Sequence, residues 1–262
     1  MAVKRINNSS SAGLWRQFVD LITTLILWAY FTLGFLVFFL LFYLSACFFA
    51  ENKEIAFQRL NHLFYKGFFC LIKILIPGNS WQVDKKAAEI KSAVVICNHV
   101  SYLDPLIFIS LYARHKTIVK SRFFHIPIFG WILRTAGYLP AGVDEGLGPL
   151  LIDHIEKMKE YLAGGGNLFI FPEGTRSRDG CLGPFNRGAF KIAGFCRAPI
   201  KILRITNSDK LFTPGKFLFN TGIKNKITLE FVGAIDPDYQ HNPPSAAELE
   251  KLVRQALMAD SC

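Results

Sequence analysis

His99 and Asp104 are the residues of this chain best suited to general acid–base chemistry. They lie in the run Asn98-His-Val-Ser-Tyr-Leu-Asp104, directly behind the apolar stretch 93–97. A strand that ends in such a turn presents an imidazole as a proton acceptor, with a carboxylate that orients it and stabilises its protonated form. The pattern therefore indicates an enzyme. The structural alternative is that Asp104 caps a helix with Pro105 at its first position, and that His99 is an ordinary loop histidine.

A second polar turn follows the apolar run 168–171 and is suited to binding an anion. In Phe171-Pro-Glu-Gly-Thr-Arg-Ser177, Gly174 lets a ligand approach the backbone and Thr175 offers a hydroxyl. Arg176 offers a planar guanidinium whose geometry matches phosphate. The alternative here is a charged turn that only caps a strand.

The elements that must position these turns are short apolar strands alternating with helices from residue 81 onward. This alternation predicts the α/β class, with a mixed sheet covered by helices on both faces. Because open α/β sheets bind ligands at the carboxyl ends of their strands, both polar turns are expected at one edge. The strands are predicted at 94–97, 117–119, 168–171, 200–205 and 227–231, and the helices at 105–113, 128–136, 147–162, 188–195 and 245–258.

The N-terminal part of the chain predicts a membrane-anchoring helical module at residues 13–78, behind a polar tail at 1–12. Residues 21–50 contain no charged side chain. This run is longer than the roughly 20 residues that one membrane-spanning helix needs, and short for two spans with a turn. One tilted span or a re-entrant hairpin fits this length.

The next segment, 52–76, predicts a helix lying in the membrane interface. Its basic residues, Lys53, Arg59, Lys66 and Lys73, are spaced among aromatic and aliphatic side chains. An interfacial helix has a cationic face and an apolar face. The alternative is a core helix of the following domain, which has the same pattern.

Charge and cysteine content indicate the partners and the compartment. The chain carries 30 Lys and Arg against 20 Asp and Glu, a formal net charge of +10. Beside a membrane segment, this balance favours anionic lipid over nucleic acid as a partner. Its six cysteines form no CxxC pair and are predicted to be free thiols, which favours a reducing compartment. We therefore expect the inner, cytoplasmic membrane, with the catalytic domain on its cytoplasmic side.

The two polar turns resemble motifs of the PlsC-type glycerolipid acyltransferases. His99 and Asp104 match the HX4D motif of that family, and 171–177 matches its FPEGTRS motif. Ala198-Pro-Ile200 resembles the last family block, a proline before a strand. The intermediate block is represented by Lys120, Pro127, Gly130, Arg134 and Gly137. The resemblance identifies residues 79–262 as an acyltransferase domain.

The resemblance implies a membrane-bound O-acyltransferase that makes phosphatidate from lysophosphatidate in phospholipid biosynthesis. His99 would take the proton of the acceptor hydroxyl as it attacks the thioester of acyl-CoA or acyl carrier protein, and Asp104 would hold the imidazole. Arg176 would bind the acceptor phosphate. Further substrate-binding residues would be Glu173, Gly174, Thr175, Lys120 and Arg134. The thioester is a co-substrate, and no cofactor or metal is expected.

One position departs from the family pattern. Many relatives have a second phosphate-binding arginine where this chain has Gly142, at the end of Gly137-Tyr-Leu-Pro-Ala-Gly142. Arg134, Lys120 or Lys201 would replace it, or the acceptor is another lysolipid or a specialised lipid. For the function of the protein as a whole, the alternative is a non-catalytic lipid-binding protein that retains the fold.

Overall fold

The computed structural model of the chain describes residues 8–141, 148–177 and 181–259. Gly142 and the first seven residues of the predicted polar tail lie outside these ranges. The strands are β1 (Asn79–Val83), β2 (Ala93–Cys97), β3 (His115–Val119), β4 (Leu139–Pro140), β5 (Asn167–Ile170), β6 (Ile200–Thr206) and β7 (Asn225–Ile235). The helices are α1 (Asn8–Ala29), α2 (Leu40–Phe49), α3 (Lys53–Leu75), α4 (Lys85–Ala88), α5 (Asp104–Leu111), α6 (Phe129–Thr135), α7 (Gly148–Ala163), α8 (Gly188–Cys196), α9 (Ser208–Leu211) and α10 (Ala246–Met258). A π-helical segment (Tyr30–Phe39) joins α1 to α2, and a 3-10 turn (Ser121–His125) precedes α6.

The strands form one mixed sheet in the order β1-β7-β6-β2-β5-β3-β4, which confirms the predicted α/β class. Neighbouring strands are parallel except β6 and β7, which are antiparallel. The sequence pattern missed β1 and β4. β1 is largely polar, and β4 has only two residues, one of them proline, so neither has the apolar run by which a buried strand is recognised.

Helices cover both faces of the sheet, as β2 shows residue by residue. Val95 and Cys97 belong to the apolar core shared with α3, α5 and α6, whereas Val94 and Ile96 belong to the core shared with α7, α8 and α10. Successive side chains of a strand point to opposite faces, so a central strand buried on both sides is apolar throughout. The central strands therefore hold the turns at their carboxyl ends rigidly in place.

The N-terminal helical segment is long and apolar enough to cross a membrane. The helix runs without a break over Gly13–Phe49, 37 residues. At 1.5 Å per residue it is about 55 Å long, against a hydrocarbon core of about 30 Å. Large apolar side chains are exposed along it, among them Phe38, Leu41 and Phe49. By its length and apolar composition this helix is a candidate membrane span, and its unbroken course is that of a single segment and not of a hairpin.

Helix α3 packs against the α/β domain. Its apolar side chains, including Phe57, Phe68 and Ile72, are buried in the same core as α5. Its basic residues Lys53 and Arg59 are exposed on the outer face. The core-helix alternative therefore describes the apolar face of α3, and contact of the basic face with lipid headgroups stays a prediction.

The segment 212–224, between α9 and β7, attaches the domain to α1. The Asp20 carboxylate accepts hydrogen bonds from the amide and hydroxyl of Thr221, at 2.8 and 2.5 Å. The Thr24 hydroxyl accepts one from the Phe219 amide at 2.9 Å. Asp20 and Thr24 are four residues apart and so lie on one face of α1. This face of the apolar helix is consequently a docking surface for the domain.

Candidate active site

His99 and Asp104 form a hydrogen-bonded pair at the carboxyl end of β2. The Nδ1 atom of His99 lies 2.9 Å from Oδ2 of Asp104. The Asp104 side chain is fully buried, whereas 14% of the His99 side chain is exposed. Because a carboxylate accepts hydrogen bonds, the neutral ring carries its proton on Nδ1. The Nε2 atom is then the basic nitrogen available to a substrate, as general base catalysis requires.

Asp104 does not act as the N-cap that its sequence position permits. Its Oδ2 atom accepts hydrogen bonds from the amides of Val100 at 2.7 Å and Ser101 at 2.8 Å, which precede the helix. An N-cap would instead accept from amides in the first turn of its own helix. The sequence-based capping alternative is therefore wrong. The carboxylate closes the turn between His99 and α5, which sets its distance to the imidazole.

Two further contacts hold the imidazole and its turn in place. The ring of His99 stacks on that of Phe171, with centroids 4.4 Å apart. The Asn98 side chain donates to the Ile205 carbonyl at 2.9 Å and accepts from the Ile205 amide at 2.8 Å. This side-chain amide continues the pairing of β2 with β6 by one step, so His99 leaves the sheet at a defined point.

Glu173 joins the two polar turns that the sequence singled out. Its Oε1 atom accepts a hydrogen bond from the His99 amide at 3.0 Å, and its Oε2 atom accepts one from the Gly183 amide at 3.0 Å. The Ser177 amide also donates to the His99 carbonyl at 2.8 Å. Glu173 was predicted to belong to the substrate site. These contacts show how it positions the histidine turn, residues 98–104, beside the arginine turn, residues 171–177.

Arg176 lines a cavity next to the histidine turn. The cavity has a volume of about 740 Å³, and its walls include Asn98, Tyr102 and Thr213. The guanidinium carbon of Arg176 lies 3.3 Å from the centroid of the Tyr102 ring. Its buried Nη1 atom has no hydrogen-bond partner within the described part of the chain. Gly174 has a φ of +62°, a conformation that glycine adopts without strain, and Thr175 is exposed.

The structure does not bring Lys120 and Arg134 to this cavity. Lys120 is exposed at the carboxyl end of β3, and Arg134 is exposed with its Nη1 atom 2.5 Å from the Phe124 carbonyl oxygen. Neither of them, nor Lys201, is among the described residues that line the cavity. Arg134 instead supports the 3-10 turn, and a direct role of these residues in substrate binding stays a prediction.

Other cavity residues were not found by sequence reasoning. Lys210 and Asp209 line the cavity from α9, and Arg204 lines it from β6. They follow no local motif, because β6 becomes the neighbour of β2 only in the folded sheet. Sequence reasoning could have found them only through a prediction that β6 lies beside β2, since polar residues after adjacent strands share an edge.

Cys97, the last residue of β2, is not a nucleophile in this site. Burial, followed by the negative charge of Asp104, raises the pKa of its thiol well above the usual value. The thiol therefore stays protonated at neutral pH, and a protonated thiol is a poor nucleophile. Acyl transfer through a thioester on Cys97 is disfavoured for this reason.

Comparison with known proteins agrees with this geometry. The acyltransferase family profile matches residues 82–205, the segment that contains both polar turns. Residues 82–205 are an acyltransferase domain. This confirms the resemblance found in the sequence. The domain is 36% identical over 123 residues to the chloroplastic 1-acyl-sn-glycerol-3-phosphate acyltransferase of Brassica napus, covering 47% of this chain and 35% of that protein.

The corresponding enzyme of Arabidopsis thaliana is also 36% identical, over 124 residues, which cover 47% of this chain and 34% of the relative. The match thus spans about a third of the length of these relatives. The acyltransferase domain and its helical module share their fold with the 1-acyl-sn-glycerophosphate acyltransferase PlsC of Thermotoga maritima, with a TM-score of 0.67 and 22% identity. That comparison covers 94% of this chain and 98% of PlsC.

Metal-binding side chains are not clustered in the described part of the acyltransferase. Within it, no group of three or more His, Cys, Asp and Glu residues is placed to hold a metal ion. The expectation that the reaction needs no cofactor besides the thioester stays a prediction.

Proposed function

We propose that this acyltransferase transfers a fatty acyl group from an acyl thioester to the free hydroxyl of lysophosphatidate at a membrane, giving phosphatidate. The observation that carries the proposal is the placement of Arg176 on the cavity beside His99, with a buried guanidinium nitrogen that has no partner among residues 8–141, 148–177 and 181–259. An unpaired buried donor costs about 1–3 kcal/mol. A phosphate oxygen supplies the missing acceptor, so the site favours an anionic headgroup.

The residues of the pair support direct transfer to the acceptor hydroxyl. Nε2 of His99 removes the hydroxyl proton as the oxygen attacks the thioester carbonyl, and the Asp104 carboxylate stabilises the resulting imidazolium. When the carbon–sulfur bond breaks, the imidazolium returns the proton to the departing thiolate. The amides of Val100 and Ser101 already bind Asp104, so the oxyanion must receive its donors from other groups.

The helical module supports a membrane location for the reaction. Acceptor and product are amphiphiles, and each buried CH2 group contributes about 0.8 kcal/mol, so a site held at the interface avoids extracting them into water. Cys47, Cys70, Cys97 and Cys196 are free thiols, as a reducing compartment maintains them. We accordingly place the catalytic domain on the cytoplasmic side of the inner membrane, with acyl-CoA or acyl carrier protein as the donor.

A second acceptor class is supported by one side chain. Asp209 lines the same cavity as Arg176 and Lys210. A carboxylate beside two cations suits a headgroup that carries an amine as well as a phosphate. A zwitterionic lysophospholipid is therefore the alternative acceptor.

An acceptor screen with the purified full-length protein tests the proposal. Lysophosphatidate, zwitterionic lysophospholipids and lyso-aminolipids are each offered with labelled acyl thioester, and we expect labelled phosphatidate as the main product. The matched control is His99→Ala, which should abolish transfer. Transfer to another acceptor with none to lysophosphatidate would overturn the acceptor assignment. Transfer unchanged in His99→Ala would overturn the mechanism, and lipid binding without any transfer would favour the non-catalytic alternative.

A further inference from the structure

Ser208, at the start of α9, contacts the catalytic carboxylate from a distant part of the chain. Its hydroxyl oxygen lies 2.5 Å from Oδ1 of Asp104, and its side chain is fully buried. The other three donors to this carboxylate, the His99 ring and the amides of Val100 and Ser101, all reach Oδ2. Within residues 8–141, 148–177 and 181–259, Ser208 is thus the hydrogen-bond partner of Oδ1.

The backbone around Ser208 is itself held in place. Asn207 adopts a left-handed conformation with a φ of +63°. Its side chain donates to the Lys226 carbonyl at 2.9 Å, and its own carbonyl accepts from the Asn225 side chain at 2.9 Å. Because β6 pairs with β2, the turn after β6 meets the turn after β2 at one edge of the sheet. Ser208 therefore reaches Asp104 from a rigid support.

We propose that Ser208 is a positioning residue for acyl transfer, whose hydroxyl binds Oδ1 of Asp104 and so holds the carboxylate in the plane that serves the His99 imidazole. The proposal rests on the proposed function only in that His99 is the base. The hydroxyl of a serine can rotate to donate to the carboxylate, and a hydrogen bond to a charged group is among the stronger ones in proteins. Without it, Oδ1 of this fully buried carboxylate has no hydrogen-bond partner among the described residues.

The expected consequence is kinetic. In Ser208→Ala we expect kcat/KM to fall ~10- to 100-fold, the loss that corresponds to one hydrogen bond to a charged group. In this variant the Asp104 carboxylate loses a hydrogen-bond donor and keeps more of its negative charge. The imidazolium form of His99 is then stabilised more strongly, so the ring holds its proton to higher pH. The acidic limb of the pH–rate profile should therefore move to higher pH. The other ionisable groups around the pair, Cys97, Glu173 and Arg204, are unchanged in this variant.

Ser101→Ala is the matched control. The Ser101 side chain is also fully buried, and its hydroxyl donates to the Phe212 carbonyl at 3.0 Å, which ties the same two segments together. It lies in the histidine turn but makes no side-chain bond to the carboxylate. We expect this variant to lose thermal stability as Ser208→Ala does while it keeps the wild-type pH–rate profile. A purely structural role for Ser208 predicts the same profile in both variants, and that result would overturn the proposal.

Two additions keep the test decisive. If Ser208→Ala does not fold, Ser208→Cys provides a similar volume with only a weak donor, and it should shift the profile in the same direction. NMR titration of the His99 ring, assigned by the signal lost in His99→Ala, reports the same effect without turnover. Failure to acylate lysophosphatidate in the wild type refutes the acceptor assignment alone. An unchanged ring titration in Ser208→Ala or Ser208→Cys refutes the role of Ser208 alone.

Discussion

Protonation of His115 should destabilise the folded protein, because a directional chain of hydrogen bonds requires its neutral form. The ring is fully buried, with Nδ1 at 2.6 Å from the Tyr112 carbonyl oxygen and Nε2 at 2.6 Å from the Tyr138 hydroxyl. Since a carbonyl only accepts, Nδ1 donates and Nε2 accepts from Tyr138. Asn61 donates to that hydroxyl at 3.1 Å and accepts from Tyr43 at 2.5 Å. This series of hydrogen bonds connects α2 and α3 to β3.

Burial lowers the pKa of His115 from 6.5 to about 3. Well above pH 6.5 the ring is neutral in both the folded and the unfolded protein, so its titration has no effect on stability. Below pH 6.5 the unfolded protein takes up a proton that the folded protein excludes. The free energy of unfolding therefore falls as the pH falls, by about 1.4 kcal/mol per unit from this group. The loss at pH 5 is about 2 kcal/mol.

The assay is denaturant unfolding of the full chain in detergent between pH 7 and pH 5, with His115→Gln as the variant. The variant should be less stable at pH 7 but should lose about 2 kcal/mol less on acidification. His62, whose pKa burial also lowers, is present in both proteins and cancels in the comparison. His125→Gln, which removes an exposed histidine, should retain the wild-type slope. Equal pH slopes in wild type and His115→Gln would refute the reasoning.

Three further substitutions test the site and its supports. Arg176→Ala should raise the KM for the acceptor ~10- to 100-fold with little change in the donor KM, measured by initial rates; equal effects on both KM values and on the melting temperature would indicate a merely structural role. Gly130→Ala should cost about 1–3 kcal/mol in thermal unfolding, because a Cβ atom there would overlap the Phe124 carbonyl. Asp20→Ala should lower the melting temperature and raise the acceptor KM, because it releases Thr221 from α1 and loosens the segment 212–224, which begins at the cavity wall. An unchanged acceptor KM would show that this contact does not affect the site.

The central strands and the helices between them were predictable because their signals are local. β2 and β5 are continuous apolar runs followed by polar turns, the pattern of strands buried on both faces. The edge strands β1 and β4 have no such pattern. β1 is recognisable only through its pairing with β7, nearly 150 positions later in the chain.

The candidate site was predictable in its chemistry and not in its full membership. His99, Asp104 and Arg176 were chosen because their turns follow apolar strands, and the sheet does bring these turns together. Lys120 was chosen through the resemblance to the family, but β3, which it follows, is separated from β2 by β5, so its turn lies farther along the edge. Ser208 was not found, because a serine after a strand has no distinctive signal.

The amino-acid sequence by itself determined which side chains stand at the strand ends, because strand periodicity and turn preferences depend on near neighbours. The tertiary structure alone decided their partners. It made Asp104 the acceptor of bonds from the His99 turn and Ser208, where the local pattern equally permitted a helix cap. It also directed the apolar face of α3 against protein. The reason is physical: strand order determines which distant groups meet, and a buried carboxylate persists only where those groups supply its hydrogen bonds.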